Sequence, residues 1–211
     1  VPRGAGKFRR RISDVLPTEI KNGFLILDLP AGVLQRFGIF AMATYTEIWD
    51  VTPETAHPRA LELISEDSLI WDFADEDSPL GNDIGADTFA AYLTFRQEQP
   101  NGKISTFIAN LFDVFELEDT GWDLLDPDAV QEALDEDEGF SVLTRDDFIL
   151  GLAFGQLVTE GEVDEQVKSR ALQALKRQAL DDVLEFRNPD GDTLAERREQ
   201  LEEFQVILSR A

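Results

Sequence analysis

Residues 163–186 read VDEQVKSRALQALKRQALDDVLEF, and this stretch decides the helical character of the chain. Val163, Val167, Ala171, Leu175, Ala179, Val183 and Phe186 recur every three or four residues, the period of one apolar helix face. Asn188-Pro189 stops the pattern, because proline cannot continue a helix and disfavours helical geometry in the residue before it. Leu194, Leu201, Phe204 and Leu208 then resume it. The last third therefore predicts one long helix, a short turn and a final helix packed antiparallel as a hairpin.

Upstream, Thr144 with Asp147 predicts a capping pair opening a helix to about Val158. Asp126-Pro127 caps a short helix to Leu134, with aspartate as the cap and proline at the first helical position. Between Ile104 and Glu116, residues Phe107, Ile108, Leu111, Phe112 and Phe115 make one side almost wholly apolar, which predicts a helix central to the core. A helix from about Ala86 or Asp87 that ends before Pro100-Asn101-Gly102 turns Phe89, Tyr92 and Leu93 inward, and a shorter one runs from Thr55 to about Glu66 with Pro58 in its first turn. Gly23–Leu29 and residues 32–40 are apolar runs that predict strands joined around Pro30-Ala31-Gly32, and Tyr45–Val51 alternates as a third strand. The expected fold class is α+β and predominantly helical, with a small N-terminal antiparallel sheet and a helical body ending in a helix hairpin. Its core is expected around Phe107, Leu111, Phe148, Leu152, Leu175 and Phe204.

Charge bounds the partners. Against 43 aspartates and glutamates stand 19 lysines and arginines, a formal charge of -24. Such a surface repels a phosphate backbone, so nucleic acid is excluded, and an anionic membrane surface is disfavoured on the same ground. The absence of cysteine removes disulfides, thiolate zinc sites and cysteine nucleophiles together. No stretch approaches the roughly 18–20 apolar residues of a membrane helix, and a cytoplasmic location is expected. Residues 1–41 hold seven basic and three acidic groups, whereas residues 42–211 hold twelve and forty, which marks a boundary between a basic extension and an acidic domain. Val1-Pro2-Arg3-Gly4 is like the remnant of a protease site and Met42 is like a natural start. The extension is thus read either as vector-derived in part or as a native arm.

Three constellations are candidates for chemistry. Between two helices, the loop 71–87 carries Asp72, Asp75, Glu76, Asp77, Asp83 and Asp87 beside Trp71 and Asn82, so several carboxylates could converge on a hard cation or a basic side chain. Helix capping and solvation account for the same residues. Asn188, Asp190, Asp192 and Glu199 occupy positions 1, 3, 5 and 12 of a calcium-loop register, but Thr193 stands where that loop needs glycine. A turn at Asp190-Gly191 followed by a capping box of Thr193 with Glu196 explains that segment without an ion. His57, the sole histidine, precedes Pro58 at a helix start and has no second histidine to assist it. Gly151 and Gly155, four apart in an apolar helix, mark close helix packing rather than a nucleotide site.

Residues 71–87, taken with Thr52-Pro53-Glu54-Thr55-Ala56-His57-Pro58-Arg59-Ala60, resemble uncharacterised acidic bacterial proteins of the YfeS-like type. In these a His-Pro-Arg-Ala helix start precedes a Trp-Asp and an acidic Pro-x-Gly-x-Asp loop. The resemblance spans about residues 52–99 and implies no activity and no catalytic residue.

From Glu116 to Glu138 eleven carboxylates follow one another with no basic residue between them. This tract, including Asp119 and Asp123, together with the 71–87 loop, predicts a non-catalytic protein that neutralises a basic protein partner, as an immunity protein or antitoxin does. The alternatives are a metal-assisted hydrolase built on Asp72–Asp87, with calcium as the conceivable ion at the 188–199 segment, and an acidity suited to high salt, consistent with five lysines against fourteen arginines.

Overall fold

The computed structural model describes residues 18–21, 24–27, 45, 47–137, 139–188 and 193–211. The chain divides into two units, residues 1–41 and 42–211. In the first, Thr18–Lys21 (β1) and Phe24–Leu27 (β2) pair antiparallel with Lys21 opposite Phe24. The expected second strand, 32–40, and the turn at Pro30 lie outside the described residues.

The second unit overturns the α+β expectation, for among its described residues there is no strand. Its described residues form eight α-helices: α1 Pro58–Leu63, α2 Asp83–Glu98, α3 Ile104–Phe115, α4 Pro127–Glu136, α5 Phe140–Glu160, α6 Glu165–Gln178, α7 Asp181–Arg187 and α8 Leu194–Arg210. The alternating run Tyr45–Val51 is not a strand but leads into a 3-10 turn at Ile48–Asp50. A strand needs a ladder partner, and Glu47 and Asp50 instead satisfy each other's backbone in a reciprocal capping box.

The centre of the domain is α5, not α3 as the phenylalanine-rich face suggested. Every residue from Phe148 to Val158 is buried, so this helix is enclosed on all sides. It starts four residues before the expected Thr144 cap: Gly139 takes a left-handed conformation, and the Asp137 carboxylate accepts from the Ser141 backbone N–H at 3.0 Å. Thr144 and Asp147 therefore lie inside the helix, where Asp147 pairs with Arg187 at 2.8 Å.

Gly151 and Gly155 are where α2 meets α5. A Cβ on Gly151 would stand 2.6 Å from the Cα of Gly85, and one on Gly155 2.6 Å from Phe89 Cδ2. One turn further on, the Tyr92 hydroxyl donates to Glu160, which Arg96 Nε also meets at 2.6 Å. The contacts 85 with 151, 89 with 155 and 92 with 160 ascend together, so the two helices run parallel.

The apolar stripe from Val163 onward is not one helix. It breaks at Ala179-Leu180, where Leu180 is extended (φ -68°, ψ 143°). The break lets Val183 join Val130 and Leu134 in a small second core under α4, away from the main core that Val167, Ala171 and Leu175 enter. Asp181 and Asp182 fall in the first turn of α7, where the helix dipole favours carboxylates. With α7 interposed, the two-helix hairpin is corrected to three pieces. α6 and α8 do pack antiparallel, since Lys168 Nζ donates to Ala211 O at 3.1 Å at one end and Arg198 Nη1 to Ala179 O at 3.1 Å at the other.

Candidate functional site

The loop 71–87 is folded largely by its own polar groups. The Trp71 indole N–H donates to Ser65 O at 2.9 Å, Asp72 accepts from the Ala74 N–H at 3.0 Å, and Asp75 accepts from the Asp77 N–H at 2.8 Å. Asn82 caps α2 by accepting from the Gly85 N–H at 2.7 Å, one turn earlier than the expected start at Ala86. The buried Arg197 of α8 fastens the loop, donating to Asp77 O at 2.6 Å with its Nε 3.5 Å from the Asp77 carboxylate. Asp72, Glu76, Asp83 and Asp87 face solvent.

The second acidic stretch, between α3 and α4, is held by three other arginines. Arg177 of α6 and Asp146 of α5 are both fully buried and joined by two bonds, Nε to Oδ2 at 3.0 Å and Nη2 to Oδ1 at 2.6 Å. Burial pushes the Asp146 carboxyl above its ordinary value, and the guanidinium fork opposes that shift. Arg177 Nη1 reaches on to Leu124 O at 2.7 Å. Arg170 meets Asp119 at 2.9 Å and lies over the Trp122 ring, 4.6 Å from its centroid. The Trp122 N–H in turn donates to Asp119 at 2.6 Å. Of the predicted partner-binding residues here, Asp119 is thus engaged within the fold while Asp123 is exposed.

Arg145 differs from these. It is 7% exposed, its Nη1 donates to Thr120 O at 2.5 Å, and it lies over Trp122 from α5. Among the described residues no carboxylate forms an ion pair with it, and its Nε has no hydrogen-bond partner. Burial pushes its guanidinium below the ordinary value, against the pull of neighbouring Asp146. Arg145 lines a cleft of about 470 Å³ between residues 116–124, α4 and the start of α5, with Glu116, Glu118, Glu136 and Asp137 around it. The Asp137 Oδ1 is likewise buried without a hydrogen-bond partner among the described residues.

The calcium-loop register is divided. Asn188 ends α7, its Nδ2 donating to Leu184 O at 3.2 Å, and Glu199 is exposed on α8. Asp190 and Asp192 lie outside the described residues. Thr193 precedes α8 without capping it through its side chain. Among the described residues no three of histidine, aspartate and glutamate gather as metal ligands. His57 caps α1, its Nδ1 accepting from the Arg59 N–H at 3.2 Å, and the His57 backbone N–H donates to Val158 O at 2.8 Å. Its ring packs against Gly161, whose φ of +76° suits glycine.

Sequence reasoning did not find Arg145, Asp146 and Arg177. The signal was the triplet Arg145-Asp146-Asp147 interrupting an otherwise apolar helix, where a charge must be paired or aimed at something. Among the described residues no helix is long and apolar enough to cross a membrane. Compared with models of protein families, with curated proteins and with solved structures, the chain matches none.

Proposed function

We propose that the chain is a non-catalytic binding protein that neutralises a basic protein partner through its acidic face. The supporting observation is how charge is divided between inside and outside. Among the described residues, seven of the nine arginines from Arg59 onward are engaged in ion pairs within the domain. By contrast, nine carboxylates from Glu116 to Glu136 are exposed, of which Asp119 alone pairs with an arginine among the described residues, in a span where no basic residue occurs between Lys103 and Arg145. A field of one sign over such a surface steers an oppositely charged protein and speeds its association.

The test is capture at low salt from a lysate of the source organism, eluted with a salt gradient, followed by stopped-flow association with the purified partner. A single basic protein bound stoichiometrically, with an association rate that falls as salt rises, supports the reading. Failure of any basic protein to bind, together with a rise in stability on adding salt, refutes it in favour of an acidity suited to concentrated salt.

A further inference from the structure

Helix α8 presents apolar residues in two directions. Leu201, Phe204 and Leu208 are buried in the main core, whereas Val206 is 48% exposed. Val206 lies with Leu63 and Ile207 in a groove of about 450 Å³ between the end of α1 and α8. Valine is a weaker helix former than the glutamates around it, so helix propensity does not account for its place on a solvent-facing side. The groove is fixed by polar ties from the α1 side. Arg59 Nη2 donates to Arg210 O at 3.1 Å at one end, Ser68 Oγ donates to Glu203 Oε1 at 2.6 Å at the other, and the Trp71 indole N–H holds Ser65 O at 2.9 Å. Its volume is within the range of preformed ligand sites.

Charge on the rim restricts what fills the groove. Glu199 and Glu202 line it and are exposed, and neither forms an ion pair among the described residues. Arg198, one turn before Glu202, is turned away to Ala179 O at 3.1 Å and to Asp181. Glu199 and Glu203 stand one turn apart, a like-charge spacing that disfavours a helix unless a cation from outside offsets it. Arg210 continues the same side of α8 one turn beyond Val206, so an occupant's cations belong only on the Glu199 side of its apolar anchor. By helix rise, Glu202 lies about 6 Å and Glu199 about 10 Å along α8 from Val206. A second helix laid alongside repeats its own face at the same two intervals, four and seven residues from an anchor.

We propose that the groove between α1 and α8 docks a basic amphipathic helix of a partner protein, with an apolar side chain seated on Leu63, Val206 and Ile207 and lysine or arginine further along it paired with Glu202 and Glu199. The proposal deepens the neutraliser reading and rests on it for the partner's being a basic protein. A long-range field speeds encounter, and burial of the apolar anchor adds slow dissociation.

The probe is an alanine-based helical peptide of about sixteen residues bearing one leucine, with lysines four and seven residues after it. It is titrated into the full chain while methyl resonances are followed by NMR. The Val206 methyls are assigned by their loss in Val206→Ala, a change that keeps the fold because alanine is the better helix former. The expected result is a shift of the Val206 methyls, with those of buried Leu175 unmoved and an affinity on the order of millimolar. Glu199→Gln with Glu202→Gln should weaken binding about fivefold, in keeping with two solvent-facing ion pairs. Replacing the peptide's leucine by alanine should weaken it about tenfold.

Val206 methyls that stay still at millimolar peptide overturn the proposal. So does an equal response to the same peptide with glutamates in place of its lysines. If the Val206 methyls move when the protein alone is concentrated, a second copy of the chain occupies the groove and the proposal falls. A basic partner protein that binds Val206→Glu as tightly as the unaltered chain overturns it too, while leaving the neutraliser reading intact. Peptide binding at Val206 without any basic protein partner supports the groove and sinks the neutraliser reading instead.

Discussion

Removing the Asp146 carboxylate is expected to have the largest effect of any single change in this domain. Asp146 and Arg177 are each 0% exposed by side chain, and the ion pair is bidentate. Truncation to alanine leaves a guanidinium in the interior without its counter-charge, which costs about 3–5 kcal/mol against a total stability on the order of 5–15 kcal/mol. Asp146→Ala should therefore forfeit about a fifth or more of the folding free energy. Replacing both partners, Asp146→Leu with Arg177→Met, removes the stranded charge and restores apolar contacts. One loss persists in the double variant: Leu124 O no longer has its donor from Arg177 at 2.7 Å, which is worth about 1–2 kcal/mol. The double variant should thus be more stable than Asp146→Ala while falling short of the parent. Urea unfolding of the parent, both singles and the double, extrapolated linearly, yields the coupling between the two residues. If Asp146→Ala costs under about 1 kcal/mol, or the two singles simply add, the pair is not the dry, mutually dependent unit described here, and the reasoning fails.

Two further outcomes follow from the packing. Gly151→Ala puts a methyl 2.6 Å from Gly85 Cα and 2.7 Å from its carbonyl oxygen, backbone atoms that cannot rotate aside. The helices must part, at about 1–3 kcal/mol, and thermal unfolding should show Tm lowered by roughly 3–10 °C; an unchanged Tm contradicts the close contact. The chain's two tyrosines, Tyr45 and Tyr92, both have hydroxyls held above the ordinary phenol value of 10.0, chiefly by burial, and for Tyr92 the Glu160 carboxylate pushes the same way. Each holds its proton more tightly folded than unfolded, so its contribution to stability is complete below pH 10.0 and is lost as pH climbs above it. Tyrosinate absorbance should accordingly rise only together with loss of helical circular dichroism, and a rise in the still-folded protein contradicts the burial.

Helix positions were legible from the sequence wherever one apolar face met one core. Phe89, Tyr92 and Leu93 are buried as their spacing predicts, and so are Val167, Ala171 and Leu175. The failures have a common physical form. The stripe from Val163 to Phe186 keeps its period across Ala179-Leu180 because both sides of the break are apolar faces, yet they enter different cores. Periodicity reports which residues are buried and not what buries them. The one local cue was Asp181-Asp182, a pair that suits a helix N-terminus better than a helix interior. Similarly, α3 has the more conspicuous aromatic face but α5 the central place, because a helix enclosed on all sides shows a weak preference for any one side. At the candidate site the acidic tract was plain in the sequence, whereas the cleft was not. It depends on Arg145 meeting the 116–124 loop across more than twenty residues of chain.

The fold and the surface charge are linked through the arginines. In an isolated chain, cations distributed from Arg59 to Arg210 would soften the negative field everywhere. In the folded domain Arg177 and Arg197 are drawn almost wholly inside, and Arg96, Arg170 and Arg187 keep only a fraction of their side-chain surface in contact with water. Guanidinium suits this role better than ammonium, since its planar fork can hold a carboxylate and several carbonyls at once, as Arg177 does with Asp146 and Leu124. The pairings of Arg96, Arg177 and Arg187 cancel carboxylates that are themselves largely or wholly buried, so those three arginines do not offset the exposed carboxylates of residues 116–136. A partner approaching residues 116–136 therefore meets more negative charge than the net value of -24 suggests for an average patch.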